Sequence, residues 1–223
     1  MAEPARGTGS RSAATRDAIV EAGLHLFAAR GFDGASVHRI AERAGVHAPQ
    51  ISYHFGGKRG LWQAAVSLLF EELDHQLAAI QRPDDPEGTL RATIRVFVRF
   101  AAKRPELNRI VVAESGSDGE RLAWLVRNHT KRRYDALAAL VTPLQRAGVV
   151  QNIPMTSFYY LVVGGASLPF VAADEARHYS ALDPCDPSFV EAHADAIETI
   201  LFSQPPAAPR RQSRGARPRA RRR

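Results

Sequence analysis

Cysteine is almost absent from this chain. Cys185 stands alone among 223 residues, which excludes an internal disulfide and any thiolate-built zinc or iron–sulfur cage and suits a reducing cytosol. An unbroken apolar run is missing too. A membrane span needs ~20 predominantly apolar residues. The longest uncharged stretch, Ala147 to Ala173, is interrupted by Gln151, Asn152, Pro154, Thr156, Gly164, Gly165, Ser167 and Pro169. It reads as a buried or subunit-interface helix, with no membrane attachment expected. Met1 to Arg16 lacks the apolar h-region of a secretory signal, and 1–14 reads as a disordered leader. The last fourteen positions hold eight arginines (Arg210, Arg211, Arg214, Arg217, Arg219, Arg221, Arg222 and Arg223) and no acidic residue.

What is present is ordinary globular composition, 45% hydrophobic and 24% charged, with 17 Phe, Trp and Tyr to build a core. Taking the eight tail arginines from the thirty basic residues leaves 22 against 23 acids, so the formal charge of +7 describes a tail and not a fold. Residues 1–60 carry eight basic and five acidic side chains, and 61–209 carry fourteen and eighteen. A basic end on an acidic body points to a polyanion at one end and a different partner at the other.

The apolar spacing is helical nearly throughout, and no strand pattern or internal repeat competes. Ile19, Ala22, Gly23, Leu26 and Phe27 form one face of a first helix that Gly31 ends. Ser36 stands as an N-cap before Val37, Ile40, Ala41 and Ala44, and Gly45 breaks that helix. A second short helix runs to about Phe55. A longer one follows over about 58–81, and further helices over about 87–103, 105–114, 119–147, 155–179 and 187–203. The expectation is an all-α protein of about nine helices: a helix-turn-helix domain over 15–60, a helical effector-binding and dimerisation domain over 61–204, and a disordered Arg-rich tail over 205–223.

Two short helices joined by Ala44-Gly45-Val46 have the spacing in which the second helix enters a DNA major groove. Its outward residues are Gln50, Ser52, Tyr53 and His54. Gln pairs with adenine edges, and hydroxyls reach phosphates or bases. Lys58 offers a cation at a helix N-terminus, and His38 and Arg39 reach the backbone or a groove edge. A helical hairpin that merely packs has the same spacing.

The run Gly31-Phe32, then Ser36-Val37-His38-Arg39-Ile40-Ala41-Glu42-Arg43-Ala44-Gly45-Val46, then Pro49-Gln50-Ile51-Ser52-Tyr53-His54-Phe55-Gly56-Gly57-Lys58 resembles the N-terminal domain of the TetR family of transcriptional regulators. The match covers about 15–61. The resemblance implies a homodimer that binds operator DNA and a C-terminal domain whose small-molecule effector controls that binding, most simply as a repressor of a palindromic site. Carried over by position, Ser36, His38, Arg39, His47, Pro49, Gln50, Ser52, Tyr53, His54 and Lys58 form the DNA surface. Tyr53 and His54 meet backbone or bases, and Lys58 clamps a phosphate. His47, Ala48 and Ser52 depart from the family's commoner residues, so the operator sequence does not follow.

The C-terminal half resembles the family more weakly. Its helices 155–179 and 187–203 are rich in small residues and are expected to make the dimer interface. A hydrophobic or aromatic effector would be lined by Phe97, Phe100, Trp124, Met155, Phe158, Tyr159 and Phe170. No cofactor and no metal site is expected, because the eight histidines form no metallohydrolase spacing. Ser115-Gly116-Ser117 lacks a nucleophile elbow, and no enzyme activity is expected. The arginine tail would add salt-dependent, sequence-independent attraction to DNA.

Overall fold

The computed structural model describes residues 7–116, 118–179 and 183–203, with side chains from Ser12 onward. Among the described residues 81% are helical, in ten helices. They are α1 (Gly7–Gly34, broken at Gly31), α2 (Val37–Ala44), α3 (Pro49–Phe55), α4 (Lys58–Ala78), α5 (Pro86–Lys103), α6 (Glu106–Ser115), α7 (120–146), α8 (Met155–Val171), α9 (Ala173–Tyr179) and α10 (Pro187–Leu201). In α7 a π-helical turn, Val126–Thr130, joins two α-helical stretches. An antiparallel bridge between Val150 and Phe202 fastens the end of α10 to the segment after α7.

Two boundaries differ from the sequence expectation. Residues 7–14, expected as disordered leader, are helical, because α1 extends back to Gly7; residues 1–6 and the Arg-rich tail lie outside the described residues. The single helix expected over 155–179 is two helices bent by 75° at Ala172. Arg109 sustains the bend by donating from Nε and Nη2 to the Val171 carbonyl, at 3.2 and 3.0 Å. That side chain satisfies one of the terminal carbonyls a helix end leaves without an amide.

The helix-turn-helix is built locally. Gly45 (φ 66°) closes α2 in the left-handed region that a Cβ would strain. Its N–H bonds Glu42 O at 3.1 Å, and the Val46 N–H bonds Ala41 O at 3.0 Å, a Schellman-type ending. Gly60 serves another purpose: a Cβ there would sit 1.9 Å from the Phe55 carbonyl oxygen, so only glycine lets α4 start so close to α3.

Ile19, Leu24, Phe27, Ile40, Ile51, Leu61 and Trp62 are at most 1% exposed and form one apolar cluster. Each such side chain contributes roughly 1.5–3 kcal/mol by leaving water. The cluster does not stop at residue 60. It runs up α4 through Leu69 and Leu73 to Phe100, Leu107, Ile110 and Leu125, so α4 belongs to both halves of the molecule. A second cluster (Leu90, Ile94, Val98, Phe158, Val162, Ala166, Phe170 and others) packs α5 against α8 and α10. Arg95 and Arg99 reinforce that packing by pairing with Glu198, Asp195 and Glu191 of α10.

Candidate nucleic-acid interface and internal cavity

Because Ile40, Ala41 and Ile51 are drawn inward, the other faces of α2 and α3 are presented to solvent. Ser36, His38, Arg39, His47, Pro49 and Ser52 are exposed, and Tyr53 is 83% exposed. Gln50, His54 and Lys58 are half-buried. All ten residues expected at a DNA surface therefore lie along one helix-turn-helix segment. Ser36 occupies the N-cap position of α2, yet its hydroxyl makes no capping bond. Gln50 Oε1 accepts the His47 N–H at 3.0 Å, so one half of the amide that would pair with adenine already serves the start of α3. Lys58 Nζ sits 4.6 Å from the Phe32 ring centroid and donates to Asp33 O at 3.3 Å, which holds the cation at the N-terminus of α4. That terminus has no side-chain cap and keeps N–H groups that suit a phosphate.

Sequence reasoning missed Arg16, whose guanidinium lies 5.2 Å from the Phe55 ring centroid at the end of α3; its signal was a cation one helix upstream. Arg59, the neighbour of Lys58, turns away to Glu120 at 2.7 Å.

Above this domain, α4, α5, α6, α7 and α8 line an open cavity of about 530 Å³, within the ~300–1,000 Å³ range of small-molecule sites. Its walls are mostly apolar, with Phe70, Leu73, Leu77, Phe97, Leu107, Leu137, Val162 and Val163 among them. Of the seven residues expected to line a pocket, Phe97 and Tyr159 do so. The other five do not. Phe100 belongs to the first apolar cluster, Phe158 and Phe170 to the second, and Met155 packs against the second. Trp124 lies 5.4 Å from Trp62 and 5.0 Å from His129, centroid to centroid. The reason is angular: consecutive residues on a helix point ~100° apart, so Tyr159, Val162 and Val163 face the cavity while Phe158 faces the core. From α4, Phe70, Leu73 and Leu77 also wall it.

Polar groups gather where α4 meets α7. Asp74 pairs with Arg132 and with Arg133, the latter at 2.7 Å. Arg133 also donates to His129 O at 2.7 Å and Phe70 O at 3.1 Å, with its guanidinium 4.1 Å from the Phe70 ring centroid. His129 is 8% exposed and stacked on Phe70 at 4.6 Å. Burial, then the Arg133 and Arg132 cations, push its pKa down to about 4, so at neutral pH the ring is uncharged.

A file of rings connects the two regions. Phe27, Phe32, Trp62, Trp124, His129 and Phe70 follow one another with centroids 4.6–6.2 Å apart. The Lys58 and Arg121 cations both lie against Phe32. Lys58 thus lies near one end of the file, and Phe70 at the other walls the cavity.

The remaining titratable clusters have structural partners. His178 Nδ1 lies against the Asp174 carbonyl and Arg177 bridges Asp174 and Asp183. Glu191 and Asp195 pair with arginines of α5. Among the described residues no group of three or more His, Cys, Asp or Glu is placed to hold a metal ion. No single helix among them is long and apolar enough to cross a membrane; α8 and α9 together have the length, but are bent by 75°.

Residues 19–65 match the model of bacterial regulatory proteins of the TetR family. Along most of its length the chain is similar to a Bacillus subtilis protein named probable HTH-type transcriptional regulator YttP, at 21% identity over 192 residues, 85% of this chain and 93% of that one. It is 38% identical over 111 residues to the HTH-type transcriptional regulator TtgR of Pseudomonas putida, 48% of this chain and 53% of the relative. Its fold is that of AibR, whose crystal structure holds isovaleryl coenzyme A and operator DNA: TM-score 0.69 at 20% identity, covering 84% of this chain and 98% of that one. Over residues 19–65 the chain carries the N-terminal segment of bacterial regulatory proteins of the TetR family.

Proposed function

We propose that this regulator is a repressor that binds a palindromic operator as a homodimer and is released by a small apolar effector held in the α4–α8 cavity. The observation that carries the reading is that α4 begins at Lys58 beside the exposed face of α3 and walls the cavity twelve residues later at Phe70. One rigid element therefore touches both sites. An effector that binds better when α4 is tilted shifts the population away from the DNA-competent form by its differential affinity.

In this reading Tyr53, His54, Gln50 and Ser52 of α3 address the major groove. Lys58, Ser36, His38, Arg39, His47 and Pro49 meet backbone and groove edges. Phe97 and Tyr159 contact the effector. Two copies join through α8 and α10, where Tyr160, Leu161, Leu168 and Ile200 are 47–66% exposed although apolar; a patch of this kind marks an interaction surface. The α3 helices of the pair would then lie one DNA turn apart, ~34–36 Å. The protein acts in the cytoplasm, and its arginine tail supplies sequence-independent attraction to DNA.

The test is retardation of DNA from around the protein's own gene, at two salt concentrations and against unrelated competitor DNA. Full-length protein and a 1–204 truncation are run side by side. Two-site retardation that survives competitor and truncation supports the reading; binding that vanishes with the tail refutes specific recognition at that locus.

A further inference from the structure

The apolar wall of the cavity says what the body of an effector is like, and its polar end says what the head is like. Asn108 and Arg133 both line the cavity, and each keeps one buried nitrogen, Nδ2 and Nε, without an acceptor. Asn108 is 5% exposed. Arg133 Nε can only donate, so its complement is an oxygen with lone pairs. Charge points the same way. The ionised groups of the lining are Arg132, Arg133 and Asp74, two cations against one carboxylate. Neighbouring His129 is neutral at pH 7, and burial pushes the Tyr159 hydroxyl up, so it keeps its proton and remains a donor. Burial also pushes the Arg133 pKa down, against the pull of Asp74, the signature of a guanidinium incompletely compensated by its surroundings.

We infer that the effector is a monoanionic apolar acid, a molecule with one carboxylate on a medium-length hydrocarbon body, whose head is received by Arg133 and Asn108. The inference deepens the proposed effector site and rests on that reading. A guanidinium with a carboxylate makes charge-assisted hydrogen bonds, roughly twice as strong as neutral ones. A neutral alcohol leaves the excess cation unmatched, and an amine adds to it. The body lies along Leu73, Leu77, Phe97 and Leu137, toward the far end of α4.

The probes are decanoate, 1-decanol and decylamine, which share one body, titrated below their aggregation concentrations at pH 7.5. The readouts are thermal stability and the fluorescence of Trp62 and Trp124, the chain's two tryptophans; Trp124 sits against His129, which stacks on the cavity residue Phe70. Decanoate is expected to bind at least tenfold more tightly than 1-decanol, and decylamine not at all. Arg133→Gln should make decanoate and 1-decanol equal. Because Arg133 also holds two backbone carbonyls, Asn108→Leu is the second variant. It should cost decanoate severalfold in affinity and leave 1-decanol unchanged. Equal binding of decanoate and 1-decanol by the unmodified protein, or a preference for decylamine, overturns the anion inference but leaves an apolar effector site standing. Failure of all three probes to bind overturns both.

Discussion

His193 Nε2 lies 2.8 Å from the carbonyl oxygen of Gly165, the acceptor that a residue four positions later in α8 would ordinarily satisfy. That residue is Pro169, which has no N–H to give. A carbonyl only accepts, so Nε2 carries the proton. The ring is held parallel to Phe189 at 5.6 Å and edge-on to Phe170. Gly165 permits the approach of α10, since a Cβ there would meet Ile197 Cδ1 at 3.0 Å. Replacing His193 with Ala should therefore cost about 1 kcal/mol in urea unfolding, the low end of the penalty for leaving a partly buried acceptor unpaired. In a Pro169→Ala background the new amide supplies the missing bond, and the same replacement should cost less than half as much. Equal costs in the two backgrounds would show that the histidine acts by packing alone.

Tyr53 gives the cleanest test of the DNA face, because a side chain so exposed contributes little to folding. Tyr53→Ala should weaken operator binding at least tenfold, about 1.4 kcal/mol, with no change in thermal midpoint. Lys58→Gln keeps most of the side chain that lies on Phe32 but removes the charge. It should weaken binding across all sequences and lower the slope of log affinity on log salt by about 1. An unchanged salt slope would mean that Lys58 meets no phosphate.

The helix-turn-helix was legible because its cues are local. Gly45 and Gly60 are demanded by backbone geometry within a few residues, and the inward set Ile40, Ala41 and Ile51 follows from helical spacing alone. The cavity was not legible, because an aromatic that walls a cavity and one that fills a core look alike in a single helix; Tyr159 and Phe158 differ only by ~100° of rotation. The break at Ala172 was hidden for a related reason. Arg109, which bonds the Val171 carbonyl there, is 62 residues from it in sequence, and Pro169 alone was a local cue. Gln50 was found as a surface residue, but its bond to the His47 N–H depends on a rotamer that spacing cannot give.

Leu168 is 62% exposed in the middle of the apolar face of α8. If that face joins two copies, a buried glutamate at its centre would lack any cation to pair with, at a cost of several kcal/mol per ion. Leu168→Glu should convert a dimer into a species of 24.4 kDa in sedimentation and abolish two-site DNA retardation. Its helical circular dichroism should remain unchanged. A Leu168→Glu protein that stays dimeric would move the interface elsewhere.

The buried ring of His129 ties stability to pH. Its folded pKa, about 4, lies below its ordinary value of 6.5. Between those two pH values the unfolded chain binds a proton that the folded protein refuses. Stability therefore rises with pH across that window and is lost as pH falls through it. A shift of this size sets an upper limit of about 3 kcal/mol. His129→Phe keeps the stack on Phe70, gives up the 3.2 Å contact with Ser67 Oγ and removes the titration. Urea midpoints measured from pH 4 to 7 should fall with acid more steeply for the unmodified protein than for the variant. Parallel curves would place the acid sensitivity in the carboxylates that pair with the α5 arginines. The sign bears on the regulator's working state. Protonation would put a third cation beside Arg132 and Arg133, whose charges already hold the ring's pKa down.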